Sequence, residues 1–139
     1  MFRLLGIALV TIAVAAPRPV AGQALAGPNR QTEAVVRTYY RNLAAARSDS
    51  VLDVITRDFK LVGGGMTMDR EGMRRMLLRM KRGQTHELSG FRTVVKGDSA
   101  EVRYLRIVRA RGTSHPYEER MTMRRVAGRW LIARLEATQ

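Results

Sequence analysis

The stretch EAVVRTYYRNLAAAR, residues 33–47, decides the fold. Val36, Tyr39, Tyr40 and Leu43 recur in it at three- and four-residue spacing, which places them on one face of a helix. Arginines occupy the other side. The pattern predicts a helix from Glu33 to Arg47 whose aromatic stripe has to pack against another part of the chain.

The C-terminal half of the sequence supplies the partner for that stripe. Its residues alternate as half-buried strands require, and glycine-containing turns separate the runs. Two hairpins joined by a loop imply a four-stranded antiparallel meander. The predicted strands are Glu87–Lys96, Ala100–Ala110, Tyr117–Val126 and Arg129–Ala137, with turns at Gly97-Asp98 and Ala127-Gly128 and a loop at Gly112–Pro116.

Shorter elements connect the first helix to the meander. Residues 48–50 offer caps for a brief apolar helix around Val51–Ile55, and Phe59–Val62 alternates like a strand. The Gly63–Gly65 run predicts a hairpin turn to Met66–Met68. A phosphate-binding loop is disfavoured because no Lys-Ser or Lys-Thr follows these glycines.

A third helix is predicted from Arg70 to Arg82, with Asp69 as its N-terminal cap and Gly83 as its stop. Methionines and a leucine form one stripe, and arginines crowd the other side. One interpretation is a helix that docks on a membrane surface or an anionic partner. The preferred one is a core-packing helix with a solvated outer face, since methionine stripes commonly fill core gaps.

The N-terminal residues have the pattern of an export signal. Arg3 precedes an apolar run from Leu4 to Ala16, which is too short to span a bilayer comfortably. Small residues follow, so cleavage near Gly22 or Ala24 is expected; an uncleaved anchor is the alternative. The sequence thus predicts a signal peptide at residues 1–24, a linker at 25–30 and an exported domain, periplasmic or secreted, at 31–139.

Composition excludes some classes of protein and site. The absence of cysteine excludes disulfides, thiolate metal sites and a lipoprotein anchor. The net charge is +13, from 25 basic and 12 acidic residues, and loss of Arg3 and Arg18 with the leader leaves +11. An exported protein of this charge is expected to meet an anionic envelope surface or an acidic partner rather than nucleic acid. A solvated, arginine-rich surface without a partner explains the charge equally well.

The order of these elements resembles the SnoaL-like branch of the nuclear-transport-factor-two-like superfamily, from about Gln31 to Glu136. The most specific parts are Asp58-Phe59 before the glycine hairpin, the sequence DREG at Asp69–Gly72, and RRVAGRWLI at Arg124–Ile132. The resemblance implies an α+β cone, in which a curved antiparallel sheet wraps around the long N-terminal helix. The open end of such a cone admits a small apolar molecule, and the outer sheet face commonly forms a homodimer.

The resemblance also directs attention to a ligand site inside the cone. Apolar walls with a few polar tips are typical of small-molecule sites and of filled cores alike. The expected lining residues are Tyr39, Tyr40, Phe59, Met73, Leu77, Tyr104, Arg106, Tyr117, Met121, Trp130 and Arg134.

The charged strand residues allow two interpretations. Either Tyr104, Arg106, Glu119 and Arg134 point into the cone, with an arginine paired to Glu119, or the charged residues among them face water and pair across strands. The second interpretation is preferred. On strand alternation, Arg134 is expected on the same face as Trp130.

No catalytic motif is identifiable. His86 opens a strand and His115 precedes Pro116, and spacing assigns neither an acidic partner. His115 and Glu119 are therefore only weak catalytic candidates. Two histidines and scattered carboxylates do not have metal-ligand spacing, and no cofactor is expected.

Three functions remain, in order of preference. The first is an exported domain that binds a small apolar molecule without catalysis. The second is a cofactor-independent isomerase, dehydratase or cyclase, as in several members of the superfamily that the chain resembles. The third is a basic protein that interacts with the cell envelope.

Overall fold

Residues 27–138 are described by the computed structural model, and they form three helices and six strands. The predicted signal peptide, residues 1–24, lies outside them. None of these three helices is long and apolar enough to cross a membrane. In chain order the elements are α1 (Pro28–Ala44), α2 (Ser48–Asp53), β1 (Ile55–Gly63), β2 (Met66–Asp69), α3 (Arg70–Arg79), β3 (Thr85–Lys96), β4 (Ser99–Ala110), β5 (Thr113–Val126) and β6 (Arg129–Thr138).

The six strands form one sheet in the order β2-β1-β6-β5-β4-β3. Strands β3 to β6 pair antiparallel, as the predicted meander requires. The sheet is curved and α1 packs against it, so the predicted α+β cone is confirmed. One pair departs from the prediction, since β1 lies parallel to β6. These two strands are far apart in the sequence, and no local pattern indicates their relative direction.

The aromatic stripe of α1 lies at the centre of the core. Val36, Tyr39 and Tyr40 are at most 3% exposed. Phe59 on β1 and Met121 on β5 are fully buried in the same cluster. Since each large apolar side chain contributes about 1.5–3 kcal/mol when buried, this stripe holds the sheet against the helix, as predicted.

Helix α1 begins and ends earlier than predicted. Pro28 lies in its first turn, where the missing N–H has no helical partner to lose, so residues 28–30 are helical rather than linker. The helix ends at Ala44 instead of Arg47, because Ala46 has a left-handed φ of 54° that breaks the helical path.

Helix α3 packs as the core-directed interpretation requires. Met73 and Leu77 are 0% and 2% exposed, while the arginines on its other side face solvent. The helix ends at Arg79 rather than at the predicted Arg82, because the backbone of Met80 is already extended.

Strands β1 and β5 each begin four residues earlier than their sequence patterns predict. Ile55, predicted to be helical, starts β1, where it pairs with β6. Strand β5 starts at Thr113, so most of the predicted loop at Gly112–Pro116 is paired with β4. Arg111 and Gly112, with φ values of 50° and 78°, form the two-residue turn that replaces that loop.

A bulge in β6 reverses its alternation. Thr122 pairs with Arg134 and Met123 with Ile132, so β6 has one more residue than β5 between these pairs. Leu135 is therefore buried, at 4% exposure, and Arg134 faces outward with a side chain that is 46% exposed. The prediction that Arg134 lines the cone is wrong, because a one-residue shift exchanges the two faces of a strand.

Substitutions at two adjacent residues test this bulge. Leu135→Ala is expected to lower the free energy of unfolding by about 2–4 kcal/mol, because it leaves a cavity in the core. Arg134→Ala is expected to change it by no more than about 0.5 kcal/mol, as for an exposed residue. Urea denaturation of both variants measures the difference, and a larger loss for Arg134→Ala would contradict the register.

Candidate functional site

Polar side chains converge on one part of the cone interior. In the register of β4 and β5, Tyr104 lies opposite Glu119 and Arg106 lies opposite Tyr117. Alternation directs all four to the face that α1 covers, where Tyr40 meets them. Three elements therefore place a carboxylate, a guanidinium and three phenols side by side.

Glu119 is the buried centre of this group, with a side chain only 1% exposed. Its Oε2 accepts hydrogen bonds from the hydroxyl of Tyr104, at 2.8 Å, and from that of Tyr40. Its Oε1 accepts from Nε and Nη2 of Arg106, at 2.7 and 2.6 Å. A buried carboxylate requires such partners, and here both oxygens are occupied.

Arg106 connects the buried carboxylate to the more open end of the cone. Its guanidinium lies over the rings of Tyr40 and Tyr117, 4.9 Å from each centroid. The side chain is 15% exposed, and its Nη1 lies 3.2 Å from Nδ1 of His86 on β3. Ion pairing and two aromatic faces fix the orientation of this cation.

The contact with Arg106 determines the tautomer of His86. A guanidinium can only donate, so Nδ1 of His86 is the acceptor and the ring proton is on Nε2. Burial and, secondly, the positive charge of Arg106 lower the pKa of His86 to about 4, so the ring is neutral at physiological pH. Nε2 is buried and has no partner among residues 27–138. His86 thus holds an unpaired hydrogen-bond donor.

The phenols of the cluster are also donors. Burial raises the pKa of Tyr40 and of Tyr104 well above the ordinary value, and the negative charge of Glu119 adds to the effect at both. Burial likewise raises the pKa of Tyr39, whose ring packs edge-on against Tyr40 at 4.9 Å. These hydroxyls keep their protons across the physiological range.

The cluster can bind an acceptor, but its groups are poorly arranged to remove a proton. Both oxygens of Glu119 already accept hydrogen bonds, and the unoccupied nitrogen of His86 carries a hydrogen. Nε2 of His86 and the guanidinium of Arg106 remain as donors. Within residues 27–138, no group of three or more acidic or histidine side chains could hold a metal ion.

The structure divides the predicted lining residues into two sets. One set is packed into the core at 6% exposure or less: Tyr39, Phe59, Met73, Leu77, Met121 and Trp130. The other set forms or touches the polar cluster: Tyr40, Tyr104, Arg106 and Tyr117. The first set is the filled interior of the cone, and the second provides the chemistry.

The preferred interpretation of the charged residues is wrong at two positions, Arg106 and Glu119, whereas Tyr104 points inward as expected of a lining residue. Tyr104, Arg106 and Glu119 point inward, because the side chains of β4 and β5 that share the face of Met121 are covered by α1. Arg134 does face water. His115, the other catalytic candidate, is exposed near the start of β5 and has no contact with Glu119.

His86 was not among the predicted site residues, and an irregularity in its strand explains why. Its strand register places His86 beside Val108 and Leu88 beside Arg106, all on the inward face. A bulge between Ser89 and Arg92 then interrupts the alternation of β3. The alternation in the C-terminal half of β3 therefore did not predict that His86 points inward.

The fold is that of solved structures described as NTF2-like. The CaMKII hub of S. rosetta matches with a TM-score of 0.73 at 16% identity, over 81% of this chain and 97% of that one. A provisionally assigned scytalone dehydratase from Novosphingobium aromaticivorans matches with a TM-score of 0.67 at 20% identity, over 79% and 83%. A provisionally assigned ketosteroid isomerase from Shewanella frigidimarina matches with 0.65 at 15%, over 76% and 92%.

These identities establish the fold alone. No family model matches the sequence, and neither does any curated protein. The predicted superfamily fold is confirmed, while the SnoaL-like branch stays a prediction.

A pair of variants tests the electrostatic role of Glu119. Glu119→Gln keeps an acceptor for the tyrosines but leaves Arg106 without its counter-charge, so we expect a loss of about 3 kcal/mol in the free energy of unfolding. Glu119→Gln combined with Arg106→Met removes both charges and is expected to recover at least about half of that loss. Denaturant unfolding measures the cycle, and additive losses would contradict direct pairing.

The lowered pKa of His86 predicts a pH dependence of stability. Since the unfolded ring has a pKa of about 6.5, the unfolded chain takes up a proton before the folded one does as the pH falls. The contribution of the neutral ring to the free energy of unfolding is fully present above about pH 6.5. It is lost as the pH falls toward about 4. His86→Gln is expected to remove this component of the stability profile.

His115→Gln is the matched control, because it removes the exposed histidine and should leave that component in place. Stability curves from pH 4 to 8 measure both variants. An NMR titration in which the His86 ring protonates near pH 6.5 would contradict the assignment of a neutral, buried tautomer.

Proposed function

We propose that this chain is a small-molecule-binding domain whose ligand enters the open end of the cone and accepts a hydrogen bond from His86. The observation that carries the proposal is the buried, unpartnered Nε2 of His86. An unpaired buried donor costs about 1–3 kcal/mol, a penalty that a ligand oxygen would remove. Arg106, 3.2 Å away on the other ring nitrogen, would hold the imidazole in place.

The gradient of exposure along β5 supports this entry. Glu119 is 4% exposed, Tyr117 two residues nearer the strand's start is half-buried, and His115 is exposed. The inward face of the sheet therefore opens toward the start of β5. His86 on β3 and Arg106 on β4 lie at the depth where burial gives way to solvent.

Apolar surface beside the donors favours an amphipathic ligand. Leu88 and Val108 flank Arg106 and His86 on the inward face, and both are only half-buried. The ring of Tyr117 adds an aromatic wall over the guanidinium. Apolar walls with a few fixed polar groups are typical of small-molecule sites.

The charge balance narrows the class of ligand. Glu119 compensates Arg106 at 2.6 Å, and His86 is neutral, so the cluster has no net charge. A buried anionic ligand would leave one negative charge in excess, which is costly away from water. We therefore expect an uncharged molecule with an apolar body and a carbonyl or hydroxyl oxygen.

Catalysis by isomerisation or dehydration is the second candidate. It is favoured by the provisional assignments of two structural neighbours as a ketosteroid isomerase and a scytalone dehydratase. Such reactions need a group that takes a proton, and the occupied oxygens of Glu119 and the protonated Nε2 of His86 supply none in this arrangement. Binding without turnover is therefore preferred.

Export and contact with an anionic envelope surface remain part of the proposal.

A ligand screen tests the binding function. Apolar compounds with one carbonyl or hydroxyl group are screened by thermal shift and by NMR on the histidine side chains. A ligand is expected to raise the melting temperature and to shift the His86 Nε2 resonance. His86→Phe keeps an aromatic ring at this position but removes the hydrogen-bond donor. It should weaken the affinity for the ligand about tenfold.

His115→Gln is the control and should leave the affinity unchanged. If no compound shifts His86, or if both variants bind equally well, the proposal is wrong. Turnover of a bound compound that stops in His86→Phe would instead favour the isomerase or dehydratase.

A further inference from the structure

Three arginines form a row across the outer face of the sheet. Arg92 on β3 lies directly opposite Arg103 on β4, and Arg103 lies directly opposite Arg120 on β5. Their strand neighbours Tyr104 and Glu119 point into the cone, so the arginines point away from it. Like charges at directly opposed positions destabilise a sheet, which makes this row energetically unfavourable on its own.

The carboxylates nearby compensate the row only in part. Glu101 lies 2.8 Å from Arg103 and 3.8 Å from Arg120, and Glu136 pairs with Arg120. Among residues 27–138, no carboxylate forms an ion pair with Arg92. The β3 end of the row therefore carries a positive charge that the chain does not neutralise.

The row lines a cavity of about 400 Å³ on this face. Its other walls include Gly90, Leu105 and Thr138, together with Tyr104 and Glu119, whose side chains point into the cone. Gly90 has a φ of 65° at the bulge of β3, a conformation that residues with a Cβ rarely adopt. That bulge sets the register in which Arg92 meets Arg103, so the same irregularity shapes the cavity and completes the row.

We propose that this cavity is a binding site for a tetrahedral oxyanion, the phosphate or sulfate group of a small molecule. Guanidinium groups donate paired hydrogen bonds to such oxygens, and an anion between Arg92 and Arg103 would offset the repulsion of the row. The acidic side chains of Glu118 and Glu136 in the same lining disfavour a long polyanion and limit the site to one anionic group. A single phosphate or sulfate ester has this chemistry.

This site does not depend on the ligand proposed for the cone. Arg103 and Arg120 occupy the outer face of the strands whose inner face carries Tyr104 and Glu119. Substitution of Arg92 therefore removes none of the side chains of the polar cluster in the cone.

Titration with inorganic phosphate and with sulfate tests the proposal, followed by NMR of the arginine side chains and by calorimetry. Saturable binding that shifts Arg92 and Arg103 and weakens with added sodium chloride is expected. Arg92→Gln removes the arginine without an ion pair, so it should fold normally and weaken binding about tenfold. Arg109→Gln is the matched control, because Arg109 is exposed on β4, pairs with Glu87 at 2.9 Å and lies outside the cavity.

Comparison of the two anions, and then of a phosphate monoester with a sulfate monoester, identifies the group that the site prefers. Equal losses in Arg92→Gln and Arg109→Gln would show a non-specific basic surface and overturn the proposal. Absence of saturable binding would overturn it as well. A concentration-dependent dimer that protects Arg92 and is insensitive to phosphate would assign this face to a second copy of the chain instead.

Discussion

The burial of one carboxylate constrains the arrangement of this domain. Glu119 is almost completely removed from water, which would cost several kcal/mol without compensation. Its partners come from α1 and β4, so the helix and both strands have to meet at one place for the charge to be tolerated. Apolar packing holds α1 against the sheet, and the requirement of Glu119 for donors selects the particular position in which Tyr40 reaches it.

The same constraint determines which chemistry the interior can perform. Hydrogen-bond donors occupy both oxygens of Glu119, and Arg106, held in place by its ion pair with Glu119, fixes the tautomer of His86 in turn. A chain of polar contacts thus runs from Glu119 through Arg106 to His86 and finishes in a donor. The buried ion pair therefore determines which atom of His86 can donate, as is typical of pre-organised binding sites. The elements that stabilise the fold and those that would select a ligand are therefore coupled.

The sequence predicted the helix, the meander and the alternation of β4 and β5, because each depends on local periodicity. It missed the orientation of Arg134 and the role of His86, because bulges in β6 and β3 shift those strands by one residue. The parallel pairing of β1 with β6 was missed since it joins distant segments. The inward position of Glu119 was not the preferred prediction, and one of its three partners, Tyr40, lies 79 residues away in the sequence. Local patterns report periodicity, whereas the energetic balance of a buried charge depends on residues brought together by the fold.

The pairing of β4 with β5 explains how one pair of strands can place arginines on its outer face and a neutralised polar cluster on its inner face. Their register is unbroken from the pair Ser99 and Arg124 to the pair Ala110 and Thr113, and the bulges occur only at the pairings with β3 and β6. A slip of one residue between β4 and β5 would turn either Arg103 or Arg120 toward the core, where its charge would lack a partner. The arginine row outside and the neutralised cluster inside are thus specified by the same register. Each charged side chain on the outer face disfavours the alternative pairing, so the row that destabilises the folded sheet also contributes to its specificity.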